Sequence, residues 1–294
     1  MTGPEFQIQA HAKVNLTLEV LGRRPDGYHN LVSIMQTVDL HDRLTFAPAA
    51  GLELACNVPE LEGEANLVWK AMCAVQAATE AKHGIRITLE KRIPTAAGLG
   101  GGSSDAAAAL RGLMRAWNLA LSGDALMRIA LDLGSDVPFF LYEGTALVQG
   151  RGENVVPLPR AHMDWIVVLA PEIQLDGKTG QMFRLISPED YSRGVLSHKL
   201  AGRIRAGSDM PPQFMFNAFD SIADRAFPGL AACRSAFKSV GAREVVLSGA
   251  GPSLIAIAPS REIGLAWQLL LKSRGMRAFL CRAWWPDPAR ALPG

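Results

Sequence analysis

Apolar and polar residues alternate near the start of the chain. Between residues 13 and 20 every second residue is aliphatic, and the positions between carry the polar residues Lys13, Asn15, Thr17 and Glu19. Successive side chains of a β-strand point to opposite faces, so a period of two predicts a strand here. The strand would present Lys13 and Asn15 on one open face, roughly 7 Å apart at a rise of about 3.3 Å per residue.

Short strands and helices are predicted to follow in the first half of the chain. Strands are expected at residues 42–46, 52–55 and 85–90, with a hairpin at residues 145–158. Helices are expected at residues 67–82, 105–117 and 122–134. Asn66 suits the N-cap of the first helix, and Gly84 suits its end. Pro25-Asp26-Gly27 predicts a tight turn, which places Tyr28 and His29 just past a chain reversal.

The pattern in the second half favours a small antiparallel sheet. Strands are predicted at residues 165–170, 244–248, 254–258 and 276–282, and helices at residues 179–185, 228–240 and 262–273. Residues 187–206 are polar and poorly patterned, so no regular element is predicted there. This order suits a sheet covered by helices, of the split βαβ kind.

The length of the chain predicts two domains. At 294 residues it exceeds the size at which a single hydrophobic core usually stops growing. A boundary near residues 159–164, between the predicted hairpin and the next strand, divides the chain into residues 1–160 and residues 161–294.

Composition narrows the classes of function. The 30 basic and 28 acidic residues give a net charge of +2 and are spread along the chain, which argues against nucleic-acid binding. The four cysteines are far apart and form no Cys-x-x-Cys pair, so neither a zinc site nor a disulfide framework is predicted. We recognise no signal peptide and no apolar run of the roughly 20 residues that a membrane span needs. We therefore expect a cytoplasmic protein without a membrane partner, and the sequence predicts no particular oligomeric state.

A glycine-rich segment carries the strongest chemical signal. Residues 94–105 read Pro-Thr-Ala-Ala-Gly-Leu-Gly-Gly-Gly-Ser-Ser-Asp and come directly before the predicted alanine-rich helix. Glycine lets backbone N–H groups approach an anion, and the start of the helix aims its own N–H groups and positive dipole end at the same place. The segment therefore predicts a phosphate-binding loop.

Three other interpretations of this loop fit less well. A Walker-type loop needs a lysine followed by serine or threonine after the last glycine, and Ser103-Ser104-Asp105 stands there instead. A dinucleotide-binding fingerprint should have an acidic residue after a second strand about 20 residues on. The nearest candidate, Asp124, lies at a predicted helix start. A flexible linker is at odds with the strong helix signal that follows.

Three blocks of the sequence resemble the GHMP kinases, named for galactokinase, homoserine kinase, mevalonate kinase and phosphomevalonate kinase. Residues 94–107 are similar to the phosphate loop of that group, residues 12–16 (Ala-Lys-Val-Asn-Leu) to its N-terminal block, and residues 247–253 (Leu-Ser-Gly-Ala-Gly-Pro-Ser) to its C-terminal glycine block. The blocks keep their order over nearly the whole chain. Ala96-Ala97 departs from the family, which often has glycines there, and we expect a modest change of affinity without loss of activity.

Two further blocks resemble one branch of this group. Residues 22–31, which contain Asp-Gly-Tyr-His, and residues 134–138 (Gly-Ser-Asp-Val-Pro) look like the branch that phosphorylates 4-diphosphocytidyl-2-C-methyl-D-erythritol in the non-mevalonate route to isoprenoid precursors. The resemblance implies an ATP-dependent enzyme that phosphorylates the 2-hydroxyl of this cytidine diphosphate-linked polyol, with Mg²⁺ accompanying ATP. It also implies an α+β fold of two domains, the first similar to domain 2 of ribosomal protein S5 and the second a ferredoxin-like α/β sandwich.

The resemblance also assigns roles to individual residues. It implies a catalytic base at Asp136 and a catalytic lysine at Lys13. The residues expected to bind the nucleotide are Asn66, Lys91, Pro94, Ala96, Ala97, Gly98, Leu99, Gly100, Gly101, Gly102, Ser103 and Ser104. The residues expected to bind the substrate are Asn15, Tyr28, His29, Asp136, Thr179, Phe183 and Gly249. No carboxylate ligand for the magnesium ion is assigned, and Ser104 is expected to be its nearest contact.

Other functions stay open at this point. Another GHMP-type kinase, with a mevalonate- or homoserine-like substrate, would share the loop and the glycine block. A nucleotide sensor without catalysis could share the fold, although both Lys13 and Asp136 are present. A nicotinamide-dependent dehydrogenase would show a thermal shift with NAD and none with ATP.

Overall fold

The computed structural model describes residues 4–79, 83–173, 175 and 177–287 and contains two β-sheets with helices on their outer faces. In chain order, the strands are β1 (Phe6–Arg23), β2 (His29–Pro48), β3 (Leu52–Cys56), β4 (Ile85–Glu90), β5 (Thr145–Gly150), β6 (Asn154–Leu158), β7 (Trp165–Leu169), β8 (Phe216–Asn217), β9 (Val246–Leu247), β10 (Leu254–Ala258) and β11 (Ala278–Arg282). The helices are α1 (Leu67–Thr79), α2 (Gly101–Ala116), α3 (Gly123–Leu133), α4 (Val137–Tyr142), α5 (Lys178–Leu185), α6 (Val195–Arg205), α7 (Asp220–Ala226), α8 (Leu230–Ser239) and α9 (Arg261–Ser273).

A long antiparallel hairpin forms the centre of the larger sheet. β1 and β2 pair on either side of the predicted turn at Pro25-Asp26-Gly27, with irregularities in register near His11, Asn15 and Val20. The sheet order is β3-β4-β2-β1-β8, and β5 pairs with the remaining part of β2 and with β6. β8 comes from the second half of the chain and runs parallel to β1 at Thr17 and Leu18.

The smaller sheet has the order β11-β7-β10-β9 and is antiparallel throughout. It confirms the small antiparallel sheet that the pattern of the second half predicts. Its inner face packs against the larger sheet, where side chains such as Val14 and Ile34 meet Ile166 and Ile255. Its outer face is covered by α8 and α9, and the outer face of the larger sheet is covered by α1 and α2.

Contacts across the chain tie the two sheets together. Besides β8, the segment that follows β11 returns to the larger sheet, where Ala283 bridges Val38. The N–H of Trp284 donates to the carbonyl of Thr37 at 2.9 Å. The division of the chain at residues 160 and 161 stays a prediction, since strands of the first sheet come from both sides of it.

Several predicted elements need correction. The strand expected at residues 13–20 lies within the longer β1, whose residues 10–20 are buried on both faces because the smaller sheet packs on one face and helices pack on the other. The helix expected from Asp105 begins at Gly101, so Gly101 to Ser104 form its first turn. Residues 187–206 contain α6, whose buried face consists of Ser197, Leu200, Ala201 and Ile204. That face has helical spacing but includes small and polar side chains, which mask the pattern. The last part of the helix expected at residues 67–82, residues 80–82, lies outside the described residues.

A few other differences are smaller. The structure adds the short helices α4 and α7, which the pattern does not predict. The strand expected at residues 42–46 is only the last part of β2, which begins at His29. The other predicted strands and helices are confirmed to within a few residues at their ends. Across the described ranges, no helix is long and apolar enough to cross a membrane.

The packing of α2 on β2 depends on a glycine. A Cβ atom added at Gly112 would lie 2.1 Å from the ring of Phe46, which is fully buried. A ring held on all sides has no space into which it can move, so a side chain at position 112 would force the helix away from the sheet.

We predict that Gly112→Ala lowers the free energy of unfolding by about 1–3 kcal/mol because it overpacks this contact. The matched control is Gly202→Ala in the interior of α6, where an added Cβ meets nothing within 4 Å. It should stabilise the protein by about 0.5–1 kcal/mol, since alanine loses less backbone entropy in a helix. Urea unfolding measures both, and equal effects of the two substitutions would contradict the close α2–β2 packing.

Candidate active site

One cavity of about 1270 Å³ gathers the predicted site residues. It lies where the glycine-rich loop, the centre of β1, the start of α4 and the turn between β9 and β10 meet. Every predicted site residue except Ser104 lines it: Lys13, Asn15, Tyr28, His29, Asn66, Lys91, Pro94, Ala96, Ala97, Gly98, Leu99, Gly100, Gly101, Gly102, Ser103, Asp136, Thr179, Phe183 and Gly249. Residues more than 200 positions apart in the sequence therefore share one space.

The glycine-rich loop has backbone conformations that glycine favours. Gly98 and Gly100 have φ angles of 82° and 71°. A Cβ atom at Gly98 would lie 2.2 Å from the carbonyl oxygen of Ser248, so the loop packs directly on the turn that follows β9. α2 starts at Gly101, and the first N–H groups of a helix, here those before Ser104, have no carbonyl partner within it. This arrangement suits the binding of an anion.

Ser104 is the exception to the predicted set. It is fully buried, and its hydroxyl donates to the carbonyl of His11 at 2.7 Å. Because α2 begins one turn earlier than predicted, Ser104 faces β1 and Ser103 lines the cavity. The expected contact between Ser104 and a magnesium ion is thus wrong for this geometry. No cluster of three or more His, Cys, Asp or Glu side chains suited to a metal ion occurs among the residues that the structure describes.

Lys13 and Asp136 lie side by side in the cavity. The Nζ atom of Lys13 is 3.4 Å from Oδ2 of Asp136, and it also donates to Oδ1 of Asn15 at 2.6 Å. The amide of Asn15 donates to Ser33 at 2.8 Å, which fixes the asparagine. Lys13 is almost fully buried, whereas about a third of the Asp136 side chain is exposed. The pair therefore presents a carboxylate to the cavity, with an ammonium held behind it.

The backbone of Lys13 fixes its position relative to the loop. β8 covers the free edge of β1 only at Thr17 and Leu18. Further along that edge, the N–H of Lys13 donates to the carbonyl of Leu99 at 2.9 Å. The glycine-rich loop thus completes the sheet edge, and the hydrogen bond places the side chain of Lys13 beside the loop.

Lys91 is part of a buried cluster of charges, in contrast to a surface lysine. Its ammonium contacts Asp42 and lies 2.6 Å from Oδ2 of Asp105. Burial alone would lower the pKa of Lys91, but Asp105 and Asp42 outweigh burial and raise it. Burial raises the pKa of Asp105 to about 8, and Asp42 adds to the rise while Lys91 opposes it. Burial thus favours the protonated form of Asp105, and the ammonium of Lys91 is the cation shared by the two carboxyl groups.

Asn66 is predicted both as the N-cap of a helix and as a residue of the nucleotide site, and the structure places it where it can be both. Its side-chain oxygen accepts from the N–H of Val68 at 2.9 Å, as an N-cap of α1 does, and its amide donates to the carbonyl of Leu61 at 2.8 Å. It lines the cavity as well. Its side chain thus fixes the start of α1 at the cavity wall.

Aromatic side chains line another part of the cavity. The rings of His29 and Phe183 stack with centroids 5.0 Å apart, and Tyr191 meets His29 edge-on at 6.1 Å. Tyr28 is half exposed, and the guanidinium of Arg151 lies 4.8 Å from its ring centroid. Burial, and then the charge of Arg23, lower the pKa of His29, so its imidazole is neutral at pH 7 and can both donate and accept hydrogen bonds.

The turn between β9 and β10 closes the cavity from the other half of the chain. The hydroxyl of Ser248 donates to the carbonyl of Gly98 at 3.0 Å. Asn217 donates to the carbonyl of Gly249 at 2.8 Å, and a Cβ atom at Gly249 would lie 3.2 Å from Nζ of Lys13. A residue larger than glycine would therefore press on the Lys13 ammonium.

The cavity lining also contains residues that the sequence prediction does not include, among them Arg151, Tyr191 and Lys178. Arg151 follows the glycine of the predicted hairpin connection, and that position was the only available signal. Tyr191 lies in a segment for which no regular element is predicted, and Lys178 comes just before a short predicted helix. At such positions a tyrosine or a lysine is usually an ordinary surface residue. Their positions depend on contacts with the first half of the chain.

We predict that Lys91→Met lowers the free energy of unfolding by about 3–5 kcal/mol because it leaves Asp42 and Asp105 buried without a cation. Asp105→Asn, which mimics the protonated carboxyl, should cost less than about 1.5 kcal/mol. Lys199→Met, at an exposed position of α6, is the control.

Raising the pH toward about 8 should destabilise the wild type but not Asp105→Asn, since the folded protein holds a proton there that the unfolded chain has already released, and the loss should level off above about pH 8. Urea unfolding between pH 6 and pH 9 measures this, and equal losses for Lys91→Met and Asp105→Asn would show that Asp105 is charged.

Comparisons with known proteins agree with this geometry. The family model described as "GHMP kinases N terminal domain" matches residues 66–144. A relative named 4-diphosphocytidyl-2-C-methyl-D-erythritol kinase, from Dehalococcoides mccartyi strain 195, is 41% identical over 272 residues, which are 92% of this chain and 95% of the relative. A relative of the same name from Symbiobacterium thermophilum is 42% identical over 88% of this chain and 93% of its own length.

Solved structures show the same relationship. A crystal structure of 4-(cytidine 5'-diphospho)-2C-methyl-D-erythritol kinase is 33% identical, with a TM-score of 0.81, and the match covers 95% of this chain and 100% of that one. The structure of homoserine kinase from Cytophaga hutchinsonii, at 17% identity and a TM-score of 0.73, matches in fold alone. These likenesses confirm the predicted GHMP kinase fold. The chain belongs to the 4-diphosphocytidyl-2-C-methyl-D-erythritol kinase family, a branch of the GHMP kinases.

Proposed function

We propose that this chain transfers the γ-phosphoryl group of ATP to the 2-hydroxyl of 4-diphosphocytidyl-2-C-methyl-D-erythritol. The family assigns the chain to the kinases, and GHMP kinases use ATP as the co-substrate. The observation that carries the proposal is the 3.4 Å pair of Lys13 and Asp136, which shares one cavity with the glycine-rich loop and the His29–Phe183 stack. This arrangement supports a triphosphate, an acceptor alcohol and a nucleobase bound together.

The glycine-rich loop is proposed to hold the phosphates of ATP. Glycine at positive φ, as at Gly98 and Gly100, lets backbone N–H groups approach an anion, and the first turn of α2 contributes further donors. Preorganised amides stabilise the charge of a phosphoryl group without reorganising during the reaction. Asn66 and Lys91, in the same cavity wall, are proposed to border the nucleotide.

Asp136 is proposed as the base and Lys13 as its partner. Asp136 accepts the proton of the substrate hydroxyl as that oxygen bonds to the γ-phosphorus, and the bond from the γ-phosphorus to the β–γ bridging oxygen breaks to release ADP. Lys13 holds the carboxylate and offsets negative charge on the attacking oxygen. Asn15 keeps the ammonium in place through its 2.6 Å hydrogen bond.

Mg²⁺ is proposed to accompany ATP. Magnesium in such sites retains several waters and is held by one or two protein oxygens together with the substrate phosphates. The donors on the cavity wall suit this mode, because the Ser103 hydroxyl and the partly exposed Asp136 carboxylate lie there, whereas Asp105 is occupied by Lys91. When bound, the ion would neutralise charge on the phosphates.

The aromatic part of the cavity is proposed to bind the cytidine base. A neutral His29 can hydrogen-bond the edge of the base, and the faces of Tyr28 and Phe183 can stack on it. Thr179 and Gly249 are proposed to contact the rest of the substrate. The cytoplasmic location and the lack of nucleic-acid or membrane partners stay predictions from the sequence.

We predict that the purified chain releases ADP from ATP with 4-diphosphocytidyl-2-C-methyl-D-erythritol in the presence of Mg²⁺, whereas mevalonate and homoserine give less than a hundredth of that rate. A site with hydrogen-bonding groups for one substrate rejects analogues that lack the matching groups by about 10⁴-fold or more. A coupled ADP assay measures the rates. Turnover with mevalonate or homoserine alone would assign the chain to another GHMP activity, and turnover with none would favour the nucleotide sensor.

We predict that Asp136→Asn lowers kcat by about 10²- to 10⁴-fold, because a positioned base contributes that much. The affinity for ATP, measured by calorimetry, should change less than threefold, since the phosphates are held by the loop. The control is Asp132→Asn, which makes the same change of side chain at an exposed position of α3. A variant at position 136 with wild-type kcat would remove Asp136 from the mechanism.

A further inference from the structure

Lys178, the first residue of α5, connects the two glycine-containing segments of the cavity. Its Nζ atom donates to the carbonyl of Ala96 in the glycine-rich loop at 2.8 Å, and to the carbonyl of Gly251 in the turn after β9. These carbonyls belong to different halves of the chain. The ammonium therefore lies above the junction where the loop and the turn pack on each other.

The charge of Lys178 lacks a close carboxylate in the described part of the chain. Its two hydrogen-bond partners there are neutral carbonyls. Burial and the nearby charge of Lys13 lower the pKa of Lys178 to about 8, and Asp136 only partly offsets them. A partly buried ammonium without an anion beside it carries a cost of desolvation, which makes an arriving anion a favourable partner.

The geometry leaves Lys178 able to bind such an anion. An ammonium has three N–H donors, and the two carbonyls engage two of them. The residue lines the same cavity as Lys13 and Asp136, and it feels the charge of both. The remaining donor therefore lies where the carboxylate, the acceptor hydroxyl and the terminal phosphate of ATP are proposed to meet.

We infer that Lys178 is a further catalytic residue, which contacts the transferred phosphoryl group and holds the glycine-rich loop and the Gly251 turn together around it. The inference rests on the proposed kinase function. As the bond from the substrate oxygen to the γ-phosphorus forms and the bond to the bridging oxygen of ADP breaks, negative charge stays on the three outer oxygens. Lys178 stabilises that charge, while Asp136 takes the proton.

This role makes catalysis depend on pH in a defined direction. Lys178 is charged below about pH 8 in the free protein and loses its charge as the pH rises through that value. The charged groups that act on it are Lys13 from β1 and Asp136 from the start of α4. Because kcat/KM reports the protonation state of the free enzyme, it should fall above about pH 8.

Steady-state kinetics from pH 6.5 to pH 9.5 test the inference with Lys178→Met, Lys178→Arg and the control Lys199→Met. We expect Lys178→Met to lower kcat by about 10²- to 10³-fold, as the loss of one transition-state donor does, and to abolish the fall of kcat/KM near pH 8. Lys178→Arg should keep more activity than Lys178→Met and retain it to pH 9.5, since a guanidinium stays charged. A wild-type kcat in Lys178→Met, or an unchanged alkaline fall in Lys178→Arg, would overturn the inference.

Calorimetry of ADP with and without aluminium fluoride, in magnesium buffer, gives a readout that needs no acceptor substrate. Aluminium fluoride mimics the transferred phosphoryl group. Lys178→Met should reduce the gain in ADP affinity that it causes by at least tenfold and change the affinity for ADP alone by less than threefold. An equal loss for ADP alone would make Lys178 a structural clamp only. If the assigned acceptor fails while this difference persists, the substrate is wrong and the role of Lys178 stands. Thermal unfolding of each variant confirms that it is folded.

Discussion

The glycine-rich loop is held between the edge of β1 and the turn after β9, and the rest of the site depends on this arrangement. On one side, the edge of β1 binds the loop through the N–H of Lys13 and the carbonyl of Leu99. On the other side, Ser248 donates to the carbonyl of Gly98, and the N–H of Ser253 donates to the carbonyl of Ala97 at 3.2 Å. Because backbone groups on both sides fix the loop, its amides keep their direction before any ligand arrives.

The layered packing of the sheets and helices determines which charged side chains are buried and which reach the cavity. Residues 10–20 of β1 are buried on both faces, because the smaller sheet covers one face of the larger sheet and helices cover the other, so each polar side chain there needs a partner. Lys13 finds Asn15 and Asp136, and Lys91 finds Asp42 and Asp105. Both carboxyl groups around Lys91 are almost fully buried, whereas about a third of the Asp136 side chain beside Lys13 is exposed. The same packing thus separates a lysine that stabilises the wall from one that can take part in chemistry.

Local sequence was sufficient for the elements and residues whose signal lies in neighbouring positions. The alternation around Lys13, the glycines before α2 and the Gly-Ser-Asp-Val-Pro block each carry their own pattern, and the resemblance to GHMP kinases added their roles. The orientation of Ser104 was missed because it depends on where α2 starts, which its glycines obscure. Lys178 was missed because its partners, Ala96 and Gly251, are 82 and 73 residues away in sequence. No local pattern encodes such contacts.

The segment after β11 returns to the larger sheet, and this has a consequence for biosynthesis. Trp284 bonds to Thr37 on β2 through its N–H and its carbonyl, each at 2.9 Å, and the indole N–H of Trp285 donates to the hydroxyl of Thr145 on β5 at 3.0 Å. Trp284 is 247 positions beyond Thr37, and Trp285 is 140 positions beyond Thr145, so both are synthesised long after the strands that they contact. A polypeptide that stops before Trp284 therefore lacks these contacts, and its larger sheet stays without them until Trp284 and Trp285 have been synthesised.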